Sequence, residues 1–324
     1  MIDVPVVDAH HHLCRLSDGY PWLSGEPIPR YHGDDTALRR DYSMEDYRAD
    51  CAGIPVCASV VVENGAASPL REAEWVDGVL AGTNSVQVAK ADLLDPSVPA
   101  LLEEYAGFST IRGVRDILNW DPDPYYSHRA RDGIMNESAW RENFARLESL
   151  GLSFDLQIFP RQLVDAARLA DAFPSTRIVL DHLGMPIYRN AEYLRNWGRG
   201  LRELARRENV FVKLSALGTT DHHWTEESIR GPLLTAIDAF GVKRSMFGSN
   251  FPVDSLYSDM RTLFSAFAAV VADFSDGERR RLFAGTATDF YRMDGGRLQR
   301  SVQAGHGVGG SAGPGADALM EQDK

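Results

Sequence analysis

Residues 4–13 read VPVVDAHHHL: an apolar, β-branched run, Val4 to Val7, that passes into Asp8, Ala9 and three consecutive histidines, His10, His11 and His12. Such a run reads as a buried strand with its reactive side chains gathered at the C-terminal end. Side chains alternate across a strand, so Asp8, His10 and His12 are expected on one face and His11 on the other. Two imidazoles at i and i+2 converge on one point, which suits chelation of a metal or clamping of one substrate oxygen.

Seven further segments carry similar apolar runs: 56–63, 85–93, 110–118, 152–159, 176–183, 210–217 and 245–253. Their runs are continuous rather than alternating, as expected of strands covered on both faces in a parallel sheet. Helical spacing fills the gaps at 138–150, 163–173, 193–207, 228–240 and 260–272. Eight strands alternating with helices predict a (β/α)8 TIM barrel over residues 1–294, with the C-terminal ends of the strands forming the site. A doubly wound open sheet is the rival, but no GxGxxG follows any strand. Two long polar and aromatic stretches, 13–41 and 119–133, are expected at the barrel mouth as binding loops. Residues 295–324 hold 8 of the chain's 28 glycines with few large apolar side chains, and read as a disordered tail.

The 324 residues carry 34 Lys+Arg against 46 Asp+Glu, a net charge of −12. That balance argues against nucleic acid as a partner. No apolar run is long enough to span a membrane, and the first residues lack the charged and apolar regions of a secretory signal. Cys14, Cys51 and Cys57 form no CxxC pair and no disulfide framework, so a cytoplasmic location is expected. A small molecule is the expected partner, and a homo-oligomer stays open.

Two more motifs complete the constellation. LDHLG, residues 180–184, ends the sixth strand and puts His182 beside the pair from the first, while Asp181 is expected to point the other way. MFGSNFPVD, residues 246–254, ends the eighth strand, which neighbours the first once the barrel closes. With DAHHHL, in this order and on strands 1, 6 and 8, these motifs resemble the amidohydrolase-related TIM-barrel hydrolases. The similarity is greatest to the branch holding sugar-acid lactonases, muconolactone hydrolases and the pyrone-dicarboxylate lactonase. GVRDIL, FDLQ and VKLSAL fit that branch too.

The resemblance implies lactone hydrolysis at a site containing His10, His12, His182 and the strand-8 residue. That residue is an aspartate in the characterised hydrolases and Asn250 here. An amide orients by hydrogen bonding but cannot take a proton from water. A single Zn2+ or Mn2+ on His10, His12 and His182 and a metal-free centre are both compatible with the sequence. Asp254 and His182 are the candidate bases. Arg115, by resemblance, would grip a substrate carboxylate, and Gln157, Lys213 and Asp254 are further substrate-binding candidates. Met185 stands where the pyrone-dicarboxylate enzyme carries an arginine, which favours a less anionic substrate. Two rival readings follow from the same residues: a metal-dependent decarboxylase of an aromatic or unsaturated acid, and a binder that lost its base with Asn250. The pair His222-His223 is expected no nearer than a lid.

Overall fold

The computed structural model describes residues 2–28 and 30–295. The reading of 295–324 as a tail therefore lies, beyond Gly295, outside the described residues. Eight parallel strands follow one another around the sheet in chain order. They are β1 Val6–His11, β2 Val56–Val62, β3 Val86–Lys90, β4 Ile111–Ile117, β5 Ser153–Gln157, β6 Ile178–Leu180, β7 Val210–Leu214 and β8 Ser245–Phe247. Just past the end of β8 the circle closes: Asn250 N–H donates to His10 O and His12 N–H to Phe251 O, each at 2.7 Å. The expected TIM barrel is the observed fold.

The two apolar faces of the strands serve two cores. Val6, Val61, Val114 and Leu180 pack outward among helical residues such as Trp140, Phe144 and Leu201. Val7, Ala9, Val60, Val88, Val179 and Met246 fill the barrel interior with Phe290 and Tyr291 of the closing helix Thr286–Phe290 and the residue after it. Two glycines permit close strand approach. A Cβ on Gly113 would lie 2.7 Å from Ser153 O, and one on Gly248 would lie 2.8 Å from His10 Cβ.

The first strand corrects the expected alternation. Asp8 pairs with Ser59 but His11 pairs with Val61, so three steps on β1 match two on β2: a bulge. Ala9 points into the barrel, and strict alternation would have turned His10 outward. The bulge turns His10 and His12 inward instead. Asp8 is left outside with His11: its carboxylate accepts from Tyr47 Oη at 3.0 Å and Ser249 N–H at 2.8 Å, while the His11 ring stacks on Tyr47. His11 is a packing residue, as expected; Asp8 does not share the face of His10 and His12.

The ends of β6 and β8 are also shorter than expected. β6 stops at Leu180, and His182, Leu183 and Met185 take left-handed backbone angles, φ 57°, 57° and 48°. Ala216 after β7 and Asn250 after β8 do the same, at 56° and 59°. Bulkier residues held in that region store strain, which tends to be concentrated at functional sites. Here it turns three successive strand ends into the mouth.

Candidate active site

A cavity of about 360 Å³ opens at the C-terminal end of the strands, with His12, His182, Asn250, Arg115 and Gln157 among its lining residues. Both expected mouth loops contribute to it, through Trp22, Tyr31 and His32 from one and Tyr125, Tyr126 and His128 from the other. The first loop is tied down across the mouth. His222 Nε2 donates to Tyr31 O at 2.9 Å and stacks on Tyr257, whose hydroxyl donates to His32 O at 2.6 Å. His222 thus belongs to the cover of the pocket. Neither Asp nor Glu is among the described lining residues, in a chain whose net charge is −12.

The three site histidines are buried and uncharged at neutral pH, each for a stated reason. Burial, helped by the neighbouring Arg115 charge, pulls His12 down to about 4. Burial takes His182 to about 3, against the pull of Asp181. Burial and then the Lys213 charge hold His10 well below the ordinary histidine value. His12 Nδ1 faces two backbone carbonyls, Val62 O at 2.9 Å and Glu63 O at 3.0 Å, so its proton sits there and Nε2 carries the lone pair. Asn250 Oδ1 lies 3.3 Å from His12 Nε2, while the Asn250 amide nitrogen donates to Thr219 Oγ1 and Asp254 Oδ1, each at 3.3 Å. His182 Nδ1 lies 2.8 Å from Ser215 Oγ.

Arg115 reaches the pocket wall but is already engaged. Its Nε donates to Glu63 Oε1 at 2.6 Å, Nη2 to Glu63 O at 2.7 Å and Nη1 to Gln157 Oε1 at 3.1 Å. Burial works to raise the Glu63 carboxyl, but the charges of Arg115 and Lys90 outweigh it and hold it below its ordinary value. Of the other two described lining cations, Lys90 donates to Ala66 O at 3.5 Å and Arg30 Nε lies 3.8 Å from Asp35 Oδ2, so both heads are held more loosely than that of Arg115.

Two expected substrate contacts are corrected. Asp254 does not line the cavity: it is 1% exposed and sits behind Asn250. It accepts from the backbone N–H groups of Gly218 and Thr219 and from Thr219 Oγ1, so its lone pairs clamp the short helix Leu217–Thr220. Burial raises it to about 6. Lys213 is fully buried beneath the cavity, because its position on β7 points into the barrel below the level of the mouth. Its Nζ contacts Asp155 Oδ2, His10 Nδ1 at 3.1 Å and Asp181 Oδ1 at 3.3 Å. Asp181, expected to point away, therefore faces inward. The strand has ended at Leu180, so the period-2 rule no longer governs residues 181 and 182.

The donor set bears on the divalent ion that the sequence left open. His10, Asp181 and His182 are the group, among the described residues, whose ligand atoms lie within 4.8 Å of one another; His12 is not part of it. His10 Nε2 and both Asp181 oxygens are buried without a hydrogen-bond partner. Yet two members of that group already face the Lys213 ammonium, and a neutral imidazole whose Nδ1 receives an N–H carries its proton on Nε2, where it cannot ligate. The residues do not fit a metal held by the three histidines.

The sequence points Asp181 away from the site and does not single out Glu63, Lys90 or Tyr291. Glu63 and Lys90 stand at the C-terminal ends of β2 and β3, a position that by itself marks a barrel residue for scrutiny. Tyr291 comes from beyond the last strand, and nothing in its local sequence signals that it reaches Asp155.

Residues 7–293 match the amidohydrolase family profile. The chain is 36% identical over 298 residues to the Sinorhizobium fredii protein y4mH, covering 90% of this chain and 100% of that one. An L-fucono-1,5-lactonase of Burkholderia multivorans is 28% identical, over 89% of this chain and 96% of the relative. Among solved structures, a zinc-bound amidohydrolase of Burkholderia multivorans superposes with a TM-score of 0.76 at 26% identity, covering 90% of this chain and all of that one.

Proposed function

This chain belongs to the amidohydrolase family of hydrolases, and from that premise we propose that it opens a small lactone by attack of water at the pocket floor. The observation that carries the reading is His12: a buried, neutral imidazole with its Nδ1 proton committed to two carbonyls, so that the Nε2 lone pair meets the cavity beside the Asn250 amide oxygen. The likeness to L-fucono-1,5-lactonases supports a sugar-acid lactone as the substrate class.

In this reading Asn250 Oδ1 accepts one hydrogen of the water and His12 Nε2 takes the other as a proton while oxygen attacks the carbonyl carbon. Ser215 Oγ–H donating to His182 Nδ1 leaves a proton on His182 Nε2, which hydrogen-bonds the developing oxyanion. Collapse of the tetrahedral intermediate breaks the ring C–O bond, and the His12 imidazolium returns its proton to the leaving oxygen. One water is consumed and one hydroxy acid formed, which ionises at neutral pH. Arg115, held by Glu63 and Gln157, shapes the wall rather than pairing with substrate, and Lys90 meets the acid product.

The test is proton release from a panel of γ- and δ-lactones of sugar acids, read with a pH indicator, for wild type and for His182→Ala. Turnover by wild type and its loss in a folded His182→Ala variant is the expected result. Release of CO2 from aromatic acids, with no lactone opened, would overturn the reading in favour of the decarboxylase.

A further inference from the structure

Beneath the pocket floor lies a chain of charged and polar groups that lactone hydrolysis as described does not use. Tyr291 Oη donates to both oxygens of Asp155, at 3.0 and 2.9 Å. Asp155 in turn holds the Lys213 ammonium, which also meets Asp181 Oδ1 and His10 Nδ1 and lies 5.5 Å above the centre of the Tyr291 ring. All five side chains are essentially inaccessible to solvent. An ammonium has three N–H donors and no lone pair; here it hydrogen-bonds Asp155 Oδ2 and His10 Nδ1 and stands as an ion pair 3.3 Å from Asp181 Oδ1.

We propose that Lys213 is the resident cation of this centre, a positioning residue that occupies the ground between His10 and Asp181 and fixes the His10 proton on Nε2, so that the site works without a divalent metal. The proposal rests on the hydrolase reading for its purpose but not for its geometry. His10 Nδ1 lies 3.1 Å from the Lys213 ammonium, nearer than the 3.6 Å to Asp181 Oδ1, so it accepts and the ring carries its proton on the otherwise unpartnered Nε2; the ring centroids of His12 and His182 lie 4.9 and 4.4 Å from its own. That fixed N–H is a donor and not a ligand. A divalent ion on Asp181 would also share its carboxylate with an ammonium 3.3 Å away, a like-charge contact in a buried setting. The neutral amide at position 250 fits the same account, because it brings no charge to a metal.

The experiment has two arms that do not depend on knowing the substrate. In the first, long-range 1H–15N spectra of wild type, with His10 assigned by His10→Gln, report which ring nitrogen bears the proton. A pyridine-type Nδ1 and a pyrrole-type Nε2 are expected; the reverse tautomer overturns the proposal. In the second, elemental analysis follows Zn2+ exposure and dialysis, for wild type and Lys213→Met. Wild type is expected to retain less than about a tenth of an ion per chain, as a donor-poor site should. Lys213→Met, which frees Asp181 and His10 Nδ1, is expected to retain about one. One tightly held Zn2+ in wild type overturns the proposal. Should Lys213→Met fail to fold, the wild-type spectrum and wild-type metal content still decide it. Inactivity on every lactone with the expected tautomer would sink the proposed function and leave this assignment standing.

Discussion

Replacing Asn250 by aspartate tests why an amide stands at the end of β8. The Asn250 side chain lies 3.3 Å from Asp254 Oδ1, and Asp254 is buried with its pKa raised to about 6. Two full charges at that distance repel by about 5 kcal/mol at an effective dielectric of about 20. At pH 8, where Asp254 is ionised, Asn250→Asp is therefore expected to destabilise the fold by roughly 3–5 kcal/mol, which for a barrel of this size is a fall in Tm of about 6–10 °C. The pH dependence has a definite sign. A carboxyl whose folded value is raised contributes stability when protonated, and that contribution is lost as pH rises from about 4 through about 6. At pH 5 the pair shares a proton and the variant should melt close to wild type. Asn250→Asp combined with Asp254→Asn restores a single charge and should recover most of the loss at pH 8. The assay is thermal unfolding by circular dichroism at both pH values, alongside lactone turnover. A variant melting within about 2 °C of wild type at pH 8, or a double variant with no recovery, would refute the electrostatic reasoning. Lactone turnover gained only by Asn250→Asp would identify the wild type as a binder instead.

Two other outcomes follow from the site. Arg115→Met leaves Glu63 buried without its partner and should cost about 3–5 kcal/mol, measured by chemical denaturation, with Glu63→Gln on top restoring most of it. If Arg115→Met is as stable as wild type and merely raises KM, the arginine grips substrate after all. The acid limb of kcat/KM should fall near pH 4, where His12 gains its proton, rather than near the ordinary histidine value of about 6.5. A limb at pH 6–7 in the rate profile would exclude His12 as the base.

Much of the barrel was legible because its strands are apolar on both faces, and a continuous β-branched run such as VPVV or VCASVVV needs no tertiary information to be read. That the histidines at 10, 12 and 182 gather at one end of the barrel was legible because strand ends in a barrel converge. Their roles were not. His12 owes the lone pair on Nε2 to carbonyls of Val62 and Glu63, about 50 residues away in sequence. His10 faces inward through a bulge, which is a matter of register between two strands and leaves no mark in either one alone.

The sequence by itself determined the fold, the end of the barrel that carries chemistry and the residue types gathered there, since these follow from periodicity and from the order of strands. Charge state, tautomer and availability were decided only by tertiary structure. Arg115 and Lys213 read alike as substrate cations, yet one is paired to Glu63 in the wall and the other is locked to Asp155 and Asp181 beneath the floor. Asp254 reads as a base and serves as a clamp. Each outcome depends on which groups from distant strands end up within about 3 Å, because hydrogen bonds and the local dielectric act over that range and sequence separation does not measure it.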